Sequence, residues 1–524
     1  MNTPGVLDTE VLIVGAGPTG LVLALWLTRL GIRIRIVDKT NEPGTTSRAL
    51  AVQARTLELY RQIGLADEVV AHGRRTIGAN LWVAGKRVAH AVLGAMGEGI
   101  SPYPYVLIFS QDEHECLLTQ RLLEAGVAVE RQTELVDFED KGDHVLAHLK
   151  RPDGSSESCE VAWLAGCDGA RSSIRTALQI GFPGGTYSHL FYVADVQAKG
   201  NTLNGELHVG LDRTEFLAVF PLAGDGRARL VGTVRQEAEE QRDNPPDHVT
   251  WDDVSQRVIE WMHIDVAQVN WFSTYRVHHR VADHFRAGRA FLLGDAAHIH
   301  SPVGGQGMNT GIGDAVNLAW KLAAVLRQRA NASLLETYEP ERIAFARRLV
   351  ATTDRAFVAV TSAGAMARLI RLRIVPLLLP AFFAIKAARR LMFRTISQTA
   401  VAYRESNLSE GRAGRIRGGD RLPWVKTALD GQDNFAPLAS LDWQVHVYGD
   451  ARSDIVEMCK DRNLALHVFP WQSEMSRAGL QRNALYLVRP DGYVAMADSS
   501  ASAAGAGAYL DQRGLKTRKM ENRR

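Results

Sequence analysis

Two glycine-rich stretches hold the residues best suited to chemistry in this chain. They are Gly15-Ala16-Gly17-Pro18-Thr19-Gly20 and Gly294-Asp295-Ala296-Ala297-His298-Ile299-His300-Ser301-Pro302-Val303-Gly304-Gly305-Gln306-Gly307-Met308-Asn309-Thr310-Gly311. A turn of this composition before a helix bares backbone N–H groups where the helix dipole favours anions. Gly15, Gly17 and Gly20 match G-x-G-x-x-G, in which one glycine permits the turn, one lets a pyrophosphate approach, and one lets helix and strand pack. Asp38, closing a second apolar run, stands where a carboxylate accepts hydrogen bonds from ribose hydroxyls. A third segment, Cys167-Asp168-Gly169-Ala170-Arg171-Ser172-Ser173-Ile174-Arg175, sets another acid beside a glycine. Alone, the second stretch could bind any anion. With the first, it predicts one large dinucleotide held at two ends.

A fingerprint of this kind needs a βαβ frame. The pattern predicts a strand over 10–14, a helix over 19–30 and a strand over 33–37 that ends at Asp38. Strands over 161–165 and 290–293 lead into Asp168 and Gly294, and a long helix is predicted over 311–326. Further helices are expected over 54–63 and 112–125, with a strand over 127–130. From 182 to 277, short extended runs such as Phe216-Leu217-Ala218-Val219-Phe220 alternate with turn signals. The fold class expected is α/β. A Rossmann-like nucleotide-binding domain covers 1–181 and 278–350, with a β excursion near 76–102, and an inserted β-sheet domain for the substrate covers 182–277. A helical segment over 351–410, a Gly/Arg-rich linker over 411–419 and a further α/β unit over 420–511 follow.

At 524 residues the chain exceeds one ordinary core, so two or three domains are expected. A formal charge of +3 gives no reason to expect nucleic acid. The four cysteines, Cys116, Cys159, Cys167 and Cys459, form no C-x-x-C and no zinc spacing, which argues for a reducing compartment. His298 and His300, two apart outside a strand, are poorly spaced for a metal and read as structural, so no metal is expected. The apolar run over 11–30 imitates a signal peptide, but its glycine turn splits it and no Lys or Arg precedes it; the expected location is the cytoplasm. One oddity is the apolar run 374–385, flanked by Arg368, Arg371 and Arg373 and by Lys386, Arg389 and Arg390. It is too short to span a bilayer. Packing against the substrate domain is expected of it, with a membrane-surface contact through 368–390 as the rival.

The segments at Gly15, Asp168 and Gly294, in this order over residues 9–350, resemble the flavoprotein aromatic monooxygenases of the para-hydroxybenzoate hydroxylase type. Farther on, Tyr486-Leu487-Val488-Arg489-Pro490-Asp491-Gly492-Tyr493-Val494-Ala495 is similar to the closing signature of the phenol and polyketide hydroxylase branch, which adds a C-terminal thioredoxin-like domain. Met496-Ala497 stands where that branch has Trp-Arg. The resemblance implies FAD as cofactor and NADPH or NADH as transient co-substrate. It implies that Gly15, Gly17 and Gly20 face the FAD pyrophosphate and Asp38 the adenosine ribose. Arg48 would approach the flavin ring or pyrophosphate, Gln111 the ribityl chain, and Val136 the adenine through its backbone. Asp168 would lie near the pyrophosphate and NAD(P)H, and Asp295 would hold the ribityl hydroxyls. Gly305, Gly307, Met308 and Asn309 would bind the pyrimidine edge of the isoalloxazine. Pro302 would lie beside the ring where the substrate stacks. Plainer readings stand beside these: Arg48 and Arg55 as solvated charges, Gln111 as a helix cap, Asp168 as a turn residue before glycine. Without a thiol near Cys459, the thioredoxin-like domain is expected to be structural or dimer-forming, leaving a monomer or homodimer.

The activity implied is hydroxylation of an aromatic, phenolic or polyketide-like substrate with NAD(P)H and O₂, through a flavin C4a-hydroperoxide. Flavin is the reactive group, with Arg48 and Pro302 as the side chains set nearest it. Reduced flavin is anionic at its N1–C2=O edge, and the helix end near Gly307 offers that edge N–H groups. The stretch 216–222 and His208 are candidate substrate walls. A lone G-x-G-x-x-G argues against the two-dinucleotide reductases. The alternative is an FAD-dependent reductase or epoxidase on the same fold; the Trp-x-Trp-x-Ile-Pro signature of flavin halogenases is absent. A non-catalytic flavin-binding partner ranks last.

Overall fold

The computed structural model describes residues 7, 9–44, 49–76, 78–92, 96–212, 215–234, 249–301, 304–361, 364, 369–374, 377–378, 384–427 and 432–517. Strand β1 (Thr9–Val14), helix α1 (Pro18–Arg29) and strand β2 (Ile34–Asp38) form the first βαβ unit, with Val14 opposite Val37 in a parallel pair. All of β1 and Gly20 through Leu27 of α1 are buried. An apolar run without alternation is what a strand covered on both faces requires. Pro18 opens α1, where its missing N–H costs no hydrogen bond.

Strand β3 (Ser156–Gly166) lies in parallel on the other side of β1, Gly166 opposite Val14. The chain passes through helix α2 (Ser173–Ala177) into a second sheet, whose long strands β4 (Gly184–Lys199) and β5 (Asp265–Val281) pair antiparallel. It returns as β6 (Ala290–Leu292), parallel to β3. After turning at Gly294 it adds the short strand β7 (His298–Ile299) to the second sheet beside β5. Then it enters helix α3 (Gly307–Leu326). This helix starts four residues before its apolar period does, because its first turn is fixed by polar contacts described below. In the first sheet the order is β6-β3-β1-β2, so successive connections diverge from β1 and open a crevice at the strands' carboxyl ends.

The second sheet has eight strands, and two of them, Gly78–Val83 and Lys86–Val92, come from the excursion near 76–102. Strand periodicity shows which residues share a face but not which sheet they join. On β4, Tyr192, Ala194 and Val196 pack beneath the helix Gln256–Trp261, while Phe191 and Val193 point to the opposite face.

Helices α4 (Tyr338–Thr361) and α5 (Lys386–Ile396) follow. The Gly/Arg-rich stretch expected as a linker is instead a hairpin, Glu410–Ala413 with Ile416–Arg417, docked on Val494–Asp498 in a six-stranded mixed sheet. Gly414, at φ +62°, makes its turn. The Ala/Gly-rich sequence near the C-terminus forms helix Ala503–Gln512 and buries Ala506, Tyr509 and Leu510. This unit is compatible with the thioredoxin-like domain that the resemblance implies. No helix among the described residues is long and apolar enough to cross a membrane.

The C-terminal unit is joined to α3 and α4 by buried charges. Glu341 on α4 accepts from Arg489 Nη1 at 2.7 Å, Lys321 Nζ at 2.9 Å and Ser406 Oγ at 2.6 Å. Arg489 also donates to Asp491. Arg55 is buried rather than solvated: it pairs with Glu58 and donates to the Asp491 carbonyl at 2.6 Å. Burial works to raise the Glu341 carboxyl, but Arg489 and Lys321 hold it below the usual carboxylate range. Burial pushes the Lys321 ammonium down to about 8.

Arg489→Met removes the shared cation from two buried carboxylates and should cost about 3–5 kcal/mol in urea unfolding. Because the Glu341 carboxyl binds its proton less readily folded than unfolded, the stability it contributes is complete above the unfolded value. It is lost as pH falls below about 4. Stability measured against pH should therefore drop through that window, and less steeply in Glu341→Gln.

Candidate functional site

Four adjacent parallel strands deliver four loops to one crevice: Gly15 after β1, Asp38 at the end of β2, Asp168 after β3, and Gly294-Asp295 after β6. Close packing fixes them. A Cβ on Gly15, whose φ is +103°, would overlap the Cys167 carbonyl, and one on Gly20 would overlap the Gly15 carbonyl. Gly17 is different, since a Cβ there meets nothing within 4 Å. A Cβ on Gly294 would come within 2.7 Å of Thr19 Oγ1, and one on Gly311 would overlap the same hydroxyl. Thus α1 and α3 approach at their amino ends, and both dipoles reach the crevice.

Asp38 accepts from the Ala16 amide at 2.6 Å and the Thr40 amide at 2.8 Å, with Arg131 3.8 Å away. It closes the glycine loop onto β2. Asp295 is exposed on the single turn Gly294–Ala296. One oxygen of Asp168 accepts from the Ser173 amide at 2.8 Å and the Ile174 amide at 3.2 Å, holding the start of α2. Its other oxygen is buried without a partner among the described residues. Gln111 heads the helix Gln111–Glu124 without capping it, and its amide donates to Glu115 at 2.7 Å. Val136 is exposed on Glu134–Asp140, three residues past Thr133, whose amide donates to the Asp38 carbonyl at 3.0 Å. Arg48 and Pro302 lie outside the described residues.

Asn309 holds the start of α3 in place. Its carbonyl oxygen accepts from the Gln53 amide at 2.9 Å and Thr56 Oγ1 at 2.7 Å, and its Nδ2 donates to Ala51 O at 2.8 Å and Gly305 O at 2.9 Å. Those four bonds use up the carboxamide, so only its main-chain N–H is left for a ligand. Gly305, at φ +60°, would bring a Cβ to 2.7 Å from Ala51. The amides of Gly307, Met308 and Asn309 open the helix, where no residue within it can accept from them.

Sequence reasoning missed Asp314. Its Oδ2 accepts from the Gly294 amide at 3.0 Å and lies 2.7 Å from His298 Nε2, while Oδ1 accepts from Arg342 Nε at 2.6 Å. Burial works to raise this carboxyl, and Arg342 and His298 hold it down. The available signal was an acid amid Ile312, Ala315 and Val316, since a buried charge requires partners. Gln53, His300 and Ser301 were missed as well. Gln53 Oε1, His300 Nε2 and Ser301 Oγ are buried without partners among the described residues, and Gln53 Nε2 donates to Gly304 O at 3.0 Å. A Cβ on Gly307 would stand 3.7 Å from His300 Nε2. Burial lowers the His300 imidazole to about 4, leaving it neutral at pH 7. Such orphaned polar atoms beside a helix amino end suit a ring edged with N–H and C=O groups.

The inserted sheet faces this region with aromatics. Half-buried Phe216, Phe220, Trp271 and Tyr275 surround Val193 and Ala218, and Phe220 also packs on the cluster of Leu222 with Leu50 and Ile108 of the nucleotide-binding domain. His208 is engaged elsewhere: its Nδ1 accepts from Trp82 Nε1 at 3.0 Å, its Nε2 lies 3.0 Å from Asn204, and burial lowers it to about 4.

The FAD binding domain family model matches residues 8–353. The 6-methylpretetramide 4-monooxygenase of Streptomyces rimosus is 38% identical over 77% of this chain and 71% of its own. A flavin-dependent monooxygenase of Mycobacteroides abscessus is 32% identical over 94% of this chain and 97% of its own. The solved structure of the OxyS anhydrotetracycline hydroxylase from Streptomyces rimosus matches with a TM-score of 0.76 and 28% identity, covering 97% of this chain and 99% of that one.

Gly17→Val fills open space, so the apoprotein should melt within a few degrees of wild type while binding FAD at least about tenfold more weakly in a fluorescence titration. Gly20→Val should destabilise the apoprotein itself. Asp314→Asn should lower thermal stability by about 3 kcal/mol, since Arg342 loses its buried carboxylate, and should release FAD more readily on dilution.

Proposed function

The chain belongs to the FAD-binding-domain family of flavin-dependent monooxygenases, and on that premise we propose that it hydroxylates a fused-ring phenolic substrate of polyketide type. Its reductant is NADH or NADPH and its oxidant O₂. The observation that carries this reading is the aromatic face of the inserted sheet, set against the nucleotide-binding domain near orphaned polar atoms and a helix amino end. Hydroxylases acting on fused-ring polyketides, as the names of the Streptomyces relatives indicate, support the substrate class.

Bound FAD supplies the electron transfer and oxygen activation that ordinary side chains lack. In our reading Gly15, Gly17 and the α1 amino end hold the pyrophosphate. Asp38 offers its remaining lone pairs to the adenosine ribose, and the Val136 backbone meets the adenine. Gln111 and Asp295 bind the ribityl hydroxyls, and the unpartnered oxygen of Asp168 faces the pyrophosphate or the nicotinamide coenzyme. Gly305 and the amides of Gly307, Met308 and Asn309 receive the pyrimidine edge and stabilise negative charge there. Arg48 and Pro302 border the ring. Phe216, Phe220 and Tyr275 stack the substrate and exclude water, which would otherwise divert oxygen to hydrogen peroxide. We place the enzyme in the cytoplasm, in keeping with its four free thiols, as a monomer or homodimer.

The purified protein, loaded with FAD, should oxidise NADH or NADPH faster when anhydrotetracycline or a related fused-ring phenol is added. Its product should carry one ¹⁸O atom from ¹⁸O₂. Coenzyme oxidation yielding only hydrogen peroxide with every phenol tried would instead make it a reductase. Phe220→Ala should raise KM about tenfold and increase peroxide release per turnover, while FAD affinity stays within twofold.

A further inference from the structure

Between Asp354 and Glu405 the chain runs fifty residues without a carboxylate and carries nine Lys or Arg. The same stretch holds seven of the twelve large apolar side chains exposed among the described residues. They include Leu369, Ile374, Leu377, Leu378, Ile385 and Leu391, with Leu377 75% exposed. Packing against the substrate domain, the expectation from sequence, does not cover them. Arg373, Lys386 and Arg394 are exposed among them. Helix α5 buries Phe393 and turns Leu391 outward, so it rests on the protein by one side only.

Behind α5 opens a cleft of about 820 Å³ lined by Arg348, Arg390, Arg394, Arg404 and Arg421. Its three carboxylates, Glu341, Glu405 and Asp420, are outnumbered by arginines; Glu341 is bonded to Arg489 and Asp420 to Arg404, and Arg421 is paired with Glu58. The positive charge of the apolar patch therefore continues into the adjoining cleft.

Contiguous exposed apolar surface marks an interaction site. The charge selects the partner. A second copy of this chain would set the same acid-free cationic stretch against itself across a twofold axis, which repulsion opposes. An anionic bilayer offers both an apolar interior within reach of leucine side chains and phosphates for the arginines. We propose that the exposed apolar and basic side chains between Leu369 and Arg394 dock this protein on the surface of an anionic lipid bilayer. The leucines enter the headgroup region, and Arg373, Lys386 and Arg394 meet lipid phosphates. This surface is separate from the crevice and adds to the hydroxylase reading rather than resting on it.

The test is sedimentation of the full-length, FAD-loaded protein with vesicles of phosphatidylcholine alone or of phosphatidylcholine and phosphatidylglycerol in equal parts. It should pellet with the anionic vesicles only, and less as salt rises. Leu377→Asp with Leu391→Asp, and separately Arg373→Glu with Lys386→Glu, should each weaken the partition at least about tenfold. Unchanged flavin absorbance and melting temperature would show that the variants fold. Absence of pelleting with anionic vesicles overturns the proposal, as does binding that the leucine variants leave intact. A dimer in gel filtration that the leucine variants dissociate, without vesicle binding, assigns the patch to a second copy instead. Binding is read without turnover, so its failure is distinct from a failure to hydroxylate.

Discussion

A contact too close for any side chain but glycine governs this molecule. Gly294 and Gly311 both lie against Thr19, and Gly20 lies against the Gly15 carbonyl. Adding a methyl group at Gly311 would push apart the amino ends of α1 and α3, and one at Gly20 would push α1 off the Gly15 loop. With them would go the loops that follow β1, β3 and β6. The dipoles of two helices act on one ligand only while that separation is kept. The binding crevice is thus a consequence of backbone packing first and of side-chain chemistry second.

Buried charges secure that packing from behind. Asp314 ties the Gly294 turn and His298 to Arg342, and Arg342 donates to Tyr403 at 2.7 Å. The neighbouring residue, Glu341, joins Lys321 to Arg489 of the C-terminal unit. Each charge is matched by partners within the protein, which is the condition under which buried ions are tolerated. The C-terminal unit lacks paired thiols yet contacts α3 and α4 through these bonds, so it braces helix α3 from behind. Glu58 connects Arg55 and Arg421 in the same way.

The inserted sheet divides its work by parity. Alternate residues of β4 lie under a helix, and the others join an aromatic face directed at the nucleotide-binding domain. Strand β7 links the two units directly, since the chain leaving the Gly294 turn becomes an edge of the inserted sheet before entering α3. The Gly294 turn and the edge of the inserted sheet are therefore only a few residues apart in the chain.

The sequence by itself determined the βαβ frame, the roles of Gly15 and Gly20, and the location of Asp38 and Asp295, because each follows from local backbone geometry or strand periodicity. It also marked Phe216 through Phe220 as a strand and the 374–385 run as unusual. The tertiary structure alone decided matters that depend on residues far apart in the chain. It placed 78–92 in the inserted sheet and made a hairpin of the Gly/Arg-rich stretch. It buried Arg55 against Glu58 and spent the Asn309 carboxamide on Gln53, Thr56, Ala51 and Gly305. It also set Asp314 beneath Gly294. Periodicity reports which side of an element is apolar. It cannot report which partner satisfies a buried polar atom, because that partner is chosen by distance in space and not by distance along the chain.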